Sequence, residues 1–396
     1  MNMKLILCLL LSACSYPLLQ AQQWLKTMKR LPDTGQETGY TTAPGEDADY
    51  RINPPYFKIN PDGTATDTIT GLMWQRFDGP EMTVEKARLY CDTLTLGGYT
   101  DWRLPLLRES FSILNHQKTN QALDATVFPK SAAEYWWSAE RQINDSNRIW
   151  VTNAGGGAGN HLKTETISAG GTRHIHVRAV RYTQQPQALS SRFRDNGDGT
   201  STDQLTGLTW LKSLQRDTMS WEQALWLADS TTAAGKDDWR LPNIKELQSV
   251  SDQTLVLPCI SNKLLSFTGN HKFWSATTLP NQVDKAWFLD SRFGITTYDP
   301  KTRRNDVLLV RGNSTMSTAV VTLRPTDVRV WPNPFRDRIY ISHPERYTQY
   351  IITDASGRLV FSGNSLDQAD LAKCAQGIYL LSASGKDFLR MKLIRE

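Results

Sequence analysis

The amino-acid sequence predicts an α+β fold, in which two diverged copies of one mixed domain precede a small all-β domain. The first observation is an internal repeat, because five sequence blocks recur in the same order at offsets of 130 to 137 residues. The second is the pattern within each copy, which combines short amphipathic helices with many strand and turn signals. The third is a change of composition after a Ser/Thr-rich linker, beyond which only strand signals follow.

These signals divide the 396 residues into six segments. They are a signal peptide at 1–21, an N-terminal extension at 22–50, a first copy at 51–183, a second copy at 190–312, a linker at 313–326 and a C-terminal domain at 327–396. In each copy we expect short helices packed against twisted antiparallel sheets.

The N-terminus has the pattern of a signal peptide. Lys4 supplies a positive charge, 5–11 form an apolar stretch too short to span a bilayer, and Ala21 offers a cleavage position. A competing pattern places a lipidated cysteine at Cys14. No later stretch has the length and apolarity of a transmembrane helix, and the scattered Lys and Arg residues, with a net charge of +5, do not indicate nucleic-acid binding.

Each copy begins with two turn-and-strand blocks. Residues 62–67 match 198–203, and residues 70–74 match 206–210. Glycine tolerates the positive φ of a tight turn, and the alternating threonines that follow suit a pleated strand. The sequence therefore predicts a β-hairpin at the start of each copy.

A capped helix follows the hairpin. In copy two, Ser220 and Gln223 have the spacing of a capping box, and apolar residues recur at helical spacing after them. In copy one the helix starts at Thr83 and places Cys91 where copy two has Ala228. This correspondence favours a packed thiol over a reactive one.

The Trp-Arg-Leu-Pro block precedes a second short helix in each copy, and its proline suits a first helical turn. Arg240 is flanked by apolar residues, so we expect it to form a bidentate pair with Glu246, as Arg103 would with Glu109. The block is therefore interpreted as structural. The residues assigned to the structural motif are Trp74, Trp102, Arg103, Glu109, Trp210, Trp239, Arg240 and Glu246.

The order of these blocks, followed by a Trp-Ser pair and a closing Val-Arg pair, resembles the domain family DUF1566, also called the Lcl C-terminal domain family. The resemblance covers 51–182 and 191–312. It implies exported modules, some of them adhesive toward sulfated glycans. It also implies a fold similar to C-type lectin-like domains and formylglycine-generating enzymes, although the close cysteine pair of the latter chemistry is absent from this sequence.

Members of that family often carry a cysteine in the closing strand. Ala179 and Leu309 stand at that position here, so the resemblance rules out a disulfide between Cys91 and this strand. Beyond the leader, the remaining cysteines are Cys259 and Cys374. Two alternatives are open for the three, namely three packed side chains or one disulfide and a free thiol.

The C-terminal segment contains short strands with turns between them, which predicts a small all-β immunoglobulin-like sandwich. Its pattern resembles the C-terminal sorting domain of the type IX secretion system of Bacteroidota. The resemblance implies handling by that secretion machinery, passage through the periplasm and outer membrane, and then release or attachment at the cell surface. The motif residues are Pro332, Asn333, Pro334, Gly357, Gly377 and Tyr379.

The two copies differ mainly in their late loops, where ligand contacts are expected because loops carry most binding residues. The glycine-rich stretch 154–159 is interpreted as a flexible surface loop, because it lacks the Lys-Ser/Thr of a phosphate loop. Trp150 and Trp287 are expected to face the core. The candidate ligand-binding residues are Asn153, Asn160, Asp290, Arg292 and Tyr298.

Neither a metal nor a cofactor is predicted. The stretch 196–199 lacks the ligand spacing of an EF-hand and is interpreted as a turn. His174 and His176 would share one face of a strand, with His161 nearby in sequence, but copy two has no histidines at the equivalent positions. This pattern is therefore not part of the repeated scaffold.

We expect a secreted or surface-attached, non-catalytic binding or adhesion protein with two lectin-like modules and a glycan or matrix ligand. Two linked sites would gain avidity. The alternatives are an extracellular enzyme acting on polysaccharide or peptide, and a structural surface component. The sequence contains neither a Gly-x-Ser-x-Gly nor a His-Glu-x-x-His motif.

Overall fold

The computed structural model describes residues 24–119, 121–129, 131, 134–166, 175–214, 217–312, 329–355, 358–385 and 388–396. The predicted signal peptide at 1–21 and the predicted linker at 313–326 lie outside these residues. Within the described part of the chain, no helix has the length and apolarity needed to cross a membrane.

The extension and copy one form nine strands, two α-helices and a 3₁₀ helix (Asp47–Asp49) within the described residues. They are β1 (Trp24–Lys26), β2 (Phe57–Ile59), β3 (Thr64–Asp67), β4 (Leu72–Gln75), α1 (Val84–Thr93), α2 (Leu107–Ser112), β5 (Tyr135–Gln142), β6 (Asp145–Asn153), β7 (Ala158–Leu162), β8 (Ile175–His176) and β9 (Val180–Tyr182).

Copy two repeats this order after a connecting strand that pairs with β1. Its elements are β10 (Gln187–Leu189), β11 (Phe193–Asp195), β12 (Thr200–Asp203), β13 (Thr209–Leu211), α3 (Trp221–Ser230), α4 (Ile244–Val250), β14 (Lys272–Thr278), β15 (Lys285–Asp290), β16 (Ile295–Pro300) and β17 (Val310–Arg311).

The predicted hairpins are present in both copies. Each extends into a four-stranded antiparallel sheet, because the closing strand of the copy returns to pair with the hairpin, giving the orders β2-β3-β4-β9 and β11-β12-β13-β17. The second turn of each hairpin requires glycine, since Gly71 has a φ of 74° and Gly207 a φ of 80°.

Helices α1 and α3 also follow the prediction. Their N-caps are Thr83 and Ser220, and the Gln223 side chain accepts a hydrogen bond from the Ser220 N–H at 3.1 Å. Cys91 is buried on α1, and its burial raises the pKa of the thiol to about 12. The three cysteines of the described residues are all free, with Cys374 half-buried, so the alternative with one disulfide is wrong.

The position predicted for the prolines before α2 and α4 is wrong. Pro242 precedes the N-cap, because Asn243 occupies the cap itself and accepts from the Glu246 N–H at 3.0 Å. Glu246 accepts in return from the Asn243 N–H at 2.9 Å. Pro105 likewise precedes the N-cap, Leu106.

The predicted Arg–Glu pairs are both present. Arg240 donates two hydrogen bonds to Glu246, each 2.6 Å long, and Arg103 donates two to Glu109 at 2.7 and 3.0 Å. The Arg240 side chain is 6% exposed and that of Arg103 26%. The pairs support the turn that enters each second helix.

The repeated closing Val-Arg pair contacts the repeated Asp-Trp-Arg block. Arg181 pairs with Asp101 at 2.6 and 3.1 Å, and Arg311 pairs with Asp238 at 2.7 and 2.9 Å. The four motif tryptophans are buried at 0 to 3% exposure. The recurrent motifs therefore form the scaffold of each copy.

The two copies share one sheet, which the sequence did not predict. Its order is β14-β15-β16-β7-β6-β5-β8, and β7 pairs with β16 across the boundary between the copies. Ala158 lies opposite Thr296, whose hydroxyl accepts from the Ala158 N–H at 2.8 Å. One continuous hydrophobic core includes side chains of both copies, among them Phe111, Trp150 and Leu247.

The glycine-rich stretch lies at this boundary. Gly156 and Gly157 are buried and Ala158 begins a strand, so the interpretation as a flexible surface loop is wrong. A Cβ at Gly157 would lie 2.9 Å from the backbone oxygen of Thr296. Glycine is therefore required here because the two copies approach each other at backbone distance.

The N-terminal extension binds both copies. Asp47 accepts hydrogen bonds from Thr34 at 2.8 Å and from Thr277 of copy two at 2.6 Å. Lys245, on α4, donates to the backbone oxygens of Asp33 in the extension and Ser112 in copy one, both at 2.7 Å. Burial lowers the pKa of Lys245 to about 8 and raises the pKa of Asp47 well above its usual range.

The C-terminal domain has a separate core, formed by residues from both of its antiparallel sheets. Their orders are β18-β19 and β21-β20-β22-β23. The strands are β18 (Val330–Trp331), β19 (Tyr340–Ile341), β20 (Tyr347–Asp354), β21 (Leu359–Gly363), β22 (Gly377–Gly385) and β23 (Phe388–Arg395).

The motif residues of this domain hold its strands together. The Asn333 side chain accepts from the Ile394 N–H and donates to the Lys392 backbone oxygen, both at 2.8 Å. The Tyr379 hydroxyl donates to the Ala375 oxygen at 2.7 Å. Gly357 lies outside the described residues.

Gly157→Ala should destabilise the protein by about 1–3 kcal/mol, because the added methyl group forces the two copies apart. Urea unfolding measures this. The control is Gly159→Ala, two residues along the same segment, where a Cβ meets no atom within 4 Å. Equal stability of the two variants would contradict the close packing at Gly157.

Asp47→Asn should gain stability relative to the natural protein as the pH rises from about 4 to about 8. Burial raises the pKa of Asp47, so the folded state binds this proton more tightly than the unfolded state, and stability is lost as the pH rises above 3.8. The asparagine side chain of the variant does not titrate in this pH range, so this loss of stability is absent from it. Urea unfolding across this pH range measures the difference.

Asp101→Asn is a control for which we expect the opposite change of relative stability with pH. The hydrogen bond from Arg181 lowers the pKa of Asp101, so this carboxylate stabilises the fold at higher pH, and the variant should lose relative stability as the pH rises. A difference between Asp47→Asn and the natural protein that stays constant with pH would refute the assignment.

Candidate ligand-binding cleft

A cleft of about 420 Å³ lies between the two copies. Copy one contributes the turn between β6 and β7, and copy two contributes the turn between β14 and β15 together with β16. The described lining residues are Thr119, Glu134, Asn153, Ala154, Gly155, Gly157, Leu279, Asn281, Gln282, Trp287, Thr296, Thr297 and Tyr298.

Two aromatic rings form one side of the cleft. Trp287 is 3% exposed, and its ring meets that of Tyr298 edge to face, with 5.6 Å between the ring centroids. Tyr298 is 39% exposed. Trp287 thus lies in the core, as expected, and also lines the cleft, whereas Trp150, its equivalent in copy one, lies in the core alone.

His116 supports the glycine turn from beneath. Its Nε2 donates to the Gly156 backbone oxygen at 2.9 Å, and its ring meets Trp287 edge to face at 5.6 Å. Complete burial lowers the pKa of His116 to about 3, so the imidazole is neutral at physiological pH. The histidine therefore has a positioning role behind the cleft.

The polar side chains of the cleft are partly committed to the fold. The Asn153 side-chain oxygen accepts from the N–H groups of Gly155 and Gly157 at 3.0 and 3.1 Å, and Gln282 accepts from Lys285 at 2.6 Å. The Oε2 atom of Glu134 is buried and has no hydrogen-bond partner. Its hydrogen-bonding capacity is therefore not met among the described residues.

Of the five candidate ligand-binding residues, Asn153 and Tyr298 line the cleft, and the other three do not. Asn160 accepts from Arg148 at 3.1 Å, and Asp290 accepts from the Arg292 N–H at 2.9 Å. Asn160, Asp290 and Arg292 therefore lie outside this cleft.

The register of the two strands explains this separation. β7 and β16 are antiparallel, with Ala158 opposite Thr296. Tyr298 therefore lies on the side of Thr296 that is nearer to the glycine turn of copy one. Asn160 lies in the other direction, toward the equivalent turn of copy two. The repeat offset of 137 makes Asp290 the counterpart of Asn153, and both side chains accept from the turn that follows them.

A preceding segment of copy two covers the turn that follows Asp290. Cys259 donates its N–H to the Ser291 oxygen at 2.7 Å, and Leu257 donates to the Arg292 oxygen at 2.9 Å. A Cβ at Gly294 would lie 3.2 Å from the Cβ of Ser251. The candidate site is therefore one cleft between the copies, in contrast to the expected site in each copy.

Sequence reasoning missed Glu134, Gln282 and Thr296. All three lie beside loops that differ between the two copies, and a comparison of the two repeats shows where those loops are. Their convergence depends on the pairing of β7 with β16, and nothing in the repeat indicates which strands pair between copies.

The histidines considered for a metal site have other partners. His176 donates from Nδ1 to the Gly79 oxygen at 2.8 Å, and His161 contacts Glu165 at 2.9 Å. His174 lies outside the described residues. Over the described ranges, no group of His, Cys, Asp and Glu residues has an arrangement that could hold a metal ion. Asp198 accepts from the Thr200 N–H at 3.0 Å, which is the predicted turn.

Comparison with known families agrees with this architecture. The model of the Secretion system C-terminal sorting domain matches residues 329–395. A type IX sorting domain of this kind indicates handling by the type IX secretion machinery and export to the cell surface or the extracellular space. No curated protein matches the chain significantly. The model of the Lcl C-terminal domain matches residues 63–181 and 199–311, more than half of the sequence, and the chain therefore belongs to the Lcl C-terminal domain family.

Proposed function

We propose that this exported protein is a non-catalytic binding or adhesion protein that holds a glycan segment in the cleft between its two Lcl copies. The observation that carries the proposal is the convergence of the divergent late loops of both copies on one cleft. Binding residues concentrate on such loops when a rigid scaffold positions them.

The chemistry of the lining suits a polyhydroxylated ligand. Tyr298 presents a half-exposed ring on which the apolar face of a sugar can stack. The amides of Asn153 and Asn281 and the hydroxyl of Thr297 lie around it. A concave site with a few convergent polar groups beside aromatic rings is the usual form of a small-ligand pocket.

The same lining favours binding over catalysis. A glycosidase uses two carboxyl groups that flank the scissile bond, about 5–9.5 Å apart. Glu134 is the one carboxylate among the described lining residues. A hydrolase acting on polysaccharide is therefore the weaker candidate for this cleft.

The C-type-lectin-like character of each copy is part of the proposal. It is supported by a closing strand that returns to pair with the opening hairpin, and by long loops that carry the sequence differences. Because the cleft lies between the copies, we propose one shared site in place of the two linked sites expected from the sequence. The proposed binding therefore depends on both copies being present in one chain.

Tyr298→Ala should weaken binding about tenfold, because an aromatic side chain at the centre of a contact commonly contributes 1–2 kcal/mol. A glycan array probed with the natural full-length protein identifies the oligosaccharide, and calorimetric titration then compares the variants. Because the Tyr298 ring packs edge to face on Trp287, thermal unfolding is measured alongside to establish that the variant is folded at the temperature of the titration.

Tyr56→Ala is the matched control, since Tyr56 is 67% exposed and lies outside the described cleft lining. It should bind like the natural protein. The proposal fails if the full-length protein shows no saturable binding to any glycan, or if the two tyrosine substitutions weaken binding equally.

A further inference from the structure

The outward face of the larger sheet of the sorting domain contacts copy two. Successive side chains of a strand point to opposite faces of a sheet, and on β22 Leu381 belongs to the core of the sorting domain. Leu380 therefore points outward. It is nevertheless 3% exposed, and it belongs to the hydrophobic core of copy two together with Trp221 and Trp226. Copy two thus buries a side chain from the outer surface of the sorting domain.

The outer face of α3 lies opposite this part of β22. It is formed by four residues at helical spacing, which are Gln223, Trp226, Leu227 and Ser230. They line one side of a cleft of about 410 Å³, and Ala355 and Ile378 of the sorting domain line the other side. Ile378 lies two residues before Leu380 on β22 and so points in the same direction.

The internal repeat provides a comparison for this face. Trp226 occupies on α3 the position that Leu89 occupies on α1, at the offset of 137 residues. Leu89 is 63% exposed, whereas the larger Trp226 is 9% exposed. Removing a large apolar side chain from water is favourable, so a tryptophan at this position benefits from a cover. The copy that adjoins the sorting domain in the chain is the one that carries the tryptophan.

We infer that the outer face of α3 is a docking surface for the sorting domain of the same chain, and that the equivalent face of α1 is not. Docking is intramolecular, so a modest apolar contact is sufficient to maintain it. The cleft that is left between the two surfaces indicates incomplete packing, which is typical of separable interfaces between domains.

The docking has two consequences. It gives the sorting domain a fixed orientation relative to the two Lcl copies. It also covers an apolar surface around Trp226 that would be exposed if the sorting domain moved away, and exposed apolar patches promote association with other molecules.

Hydroxyl-radical footprinting of the full-length protein tests the docking, because the oxidation rate of a side chain follows its exposure and mass spectrometry measures it residue by residue. Trp331 of the sorting domain is the internal reference, since it is 48% exposed. Trp226 should be oxidised about fivefold more slowly than Trp331, in proportion to their exposures of 9% and 48%.

Leu380→Asp places a charge in the apolar contact, and burying an unpaired charge is costly, so the sorting domain should undock. The oxidation rate of Trp226 should then rise to about that of Trp331. Leu381 reports on the folding of the sorting domain and should stay protected, because it lies in that domain's own core.

Trp226→Ala is the reciprocal variant, on the side of copy two. It removes apolar surface opposite β22, so the oxidation of Leu380 should rise several-fold. This variant decides the question if Leu380→Asp also exposes Leu381 and so unfolds the sorting domain. Leu89→Ala, at the equivalent position of copy one, is the matched control and should change the oxidation of neither Trp226 nor Leu380.

Equal oxidation rates for Trp226 and Trp331 in the natural protein would overturn the docking. So would a Trp226 rate that Leu380→Asp leaves unchanged while Leu381 stays protected, or a Leu380 rate that Trp226→Ala leaves unchanged. Neither Trp226 nor Leu380 is among the described lining residues of the ligand-binding cleft, so these outcomes are independent of glycan binding.

Discussion

The pairing of β7 with β16 is the contact on which the rest of the structure depends. Without it, each copy would expose an unpaired strand edge, which proteins normally cover. The pairing brings the two edges together at Ala158 and Thr296 and joins the strands of the two copies into one sheet. It also places the glycine turn of copy one beside Trp287 and Tyr298 of copy two, and so creates the cleft. The proposed site is thus a consequence of duplication followed by fusion of the two sheets.

Buried polar groups hold this arrangement in register. Lys245 bonds to backbone oxygens of the extension and of copy one, and Asp47 joins the extension to β14 of copy two. Buried charges cost desolvation free energy, and they persist where good hydrogen-bond geometry compensates for it. Because these contacts link distant parts of the chain, they specify how the copies dock, whereas the apolar core around them would tolerate other orientations.

The sequence predicted what lies within one copy better than what lies between copies. The hairpins, the capped helix at Ser220 and the Arg240–Glu246 pair follow local rules of turn, cap and spacing, and the structure contains them. The flexible loop at 154–159 was wrong, and the cleft shared by Asn153 and Tyr298 was not predicted, because both depend on which strand edges meet. The requirement for glycine at 157 comes from a backbone more than a hundred residues away.

The stoichiometry of binding tests the central claim most directly. Two copies with one shared cleft should bind one short oligosaccharide per full-length chain, and Gly157→Ala should weaken that binding because it moves the two halves of the cleft apart. Calorimetric titration with the oligosaccharide that the glycan array identifies measures the number of sites. One site per chain, sensitive to Gly157→Ala, is the predicted result. Two equivalent sites per chain, or binding unaffected by Gly157→Ala, would contradict a cleft built from both copies.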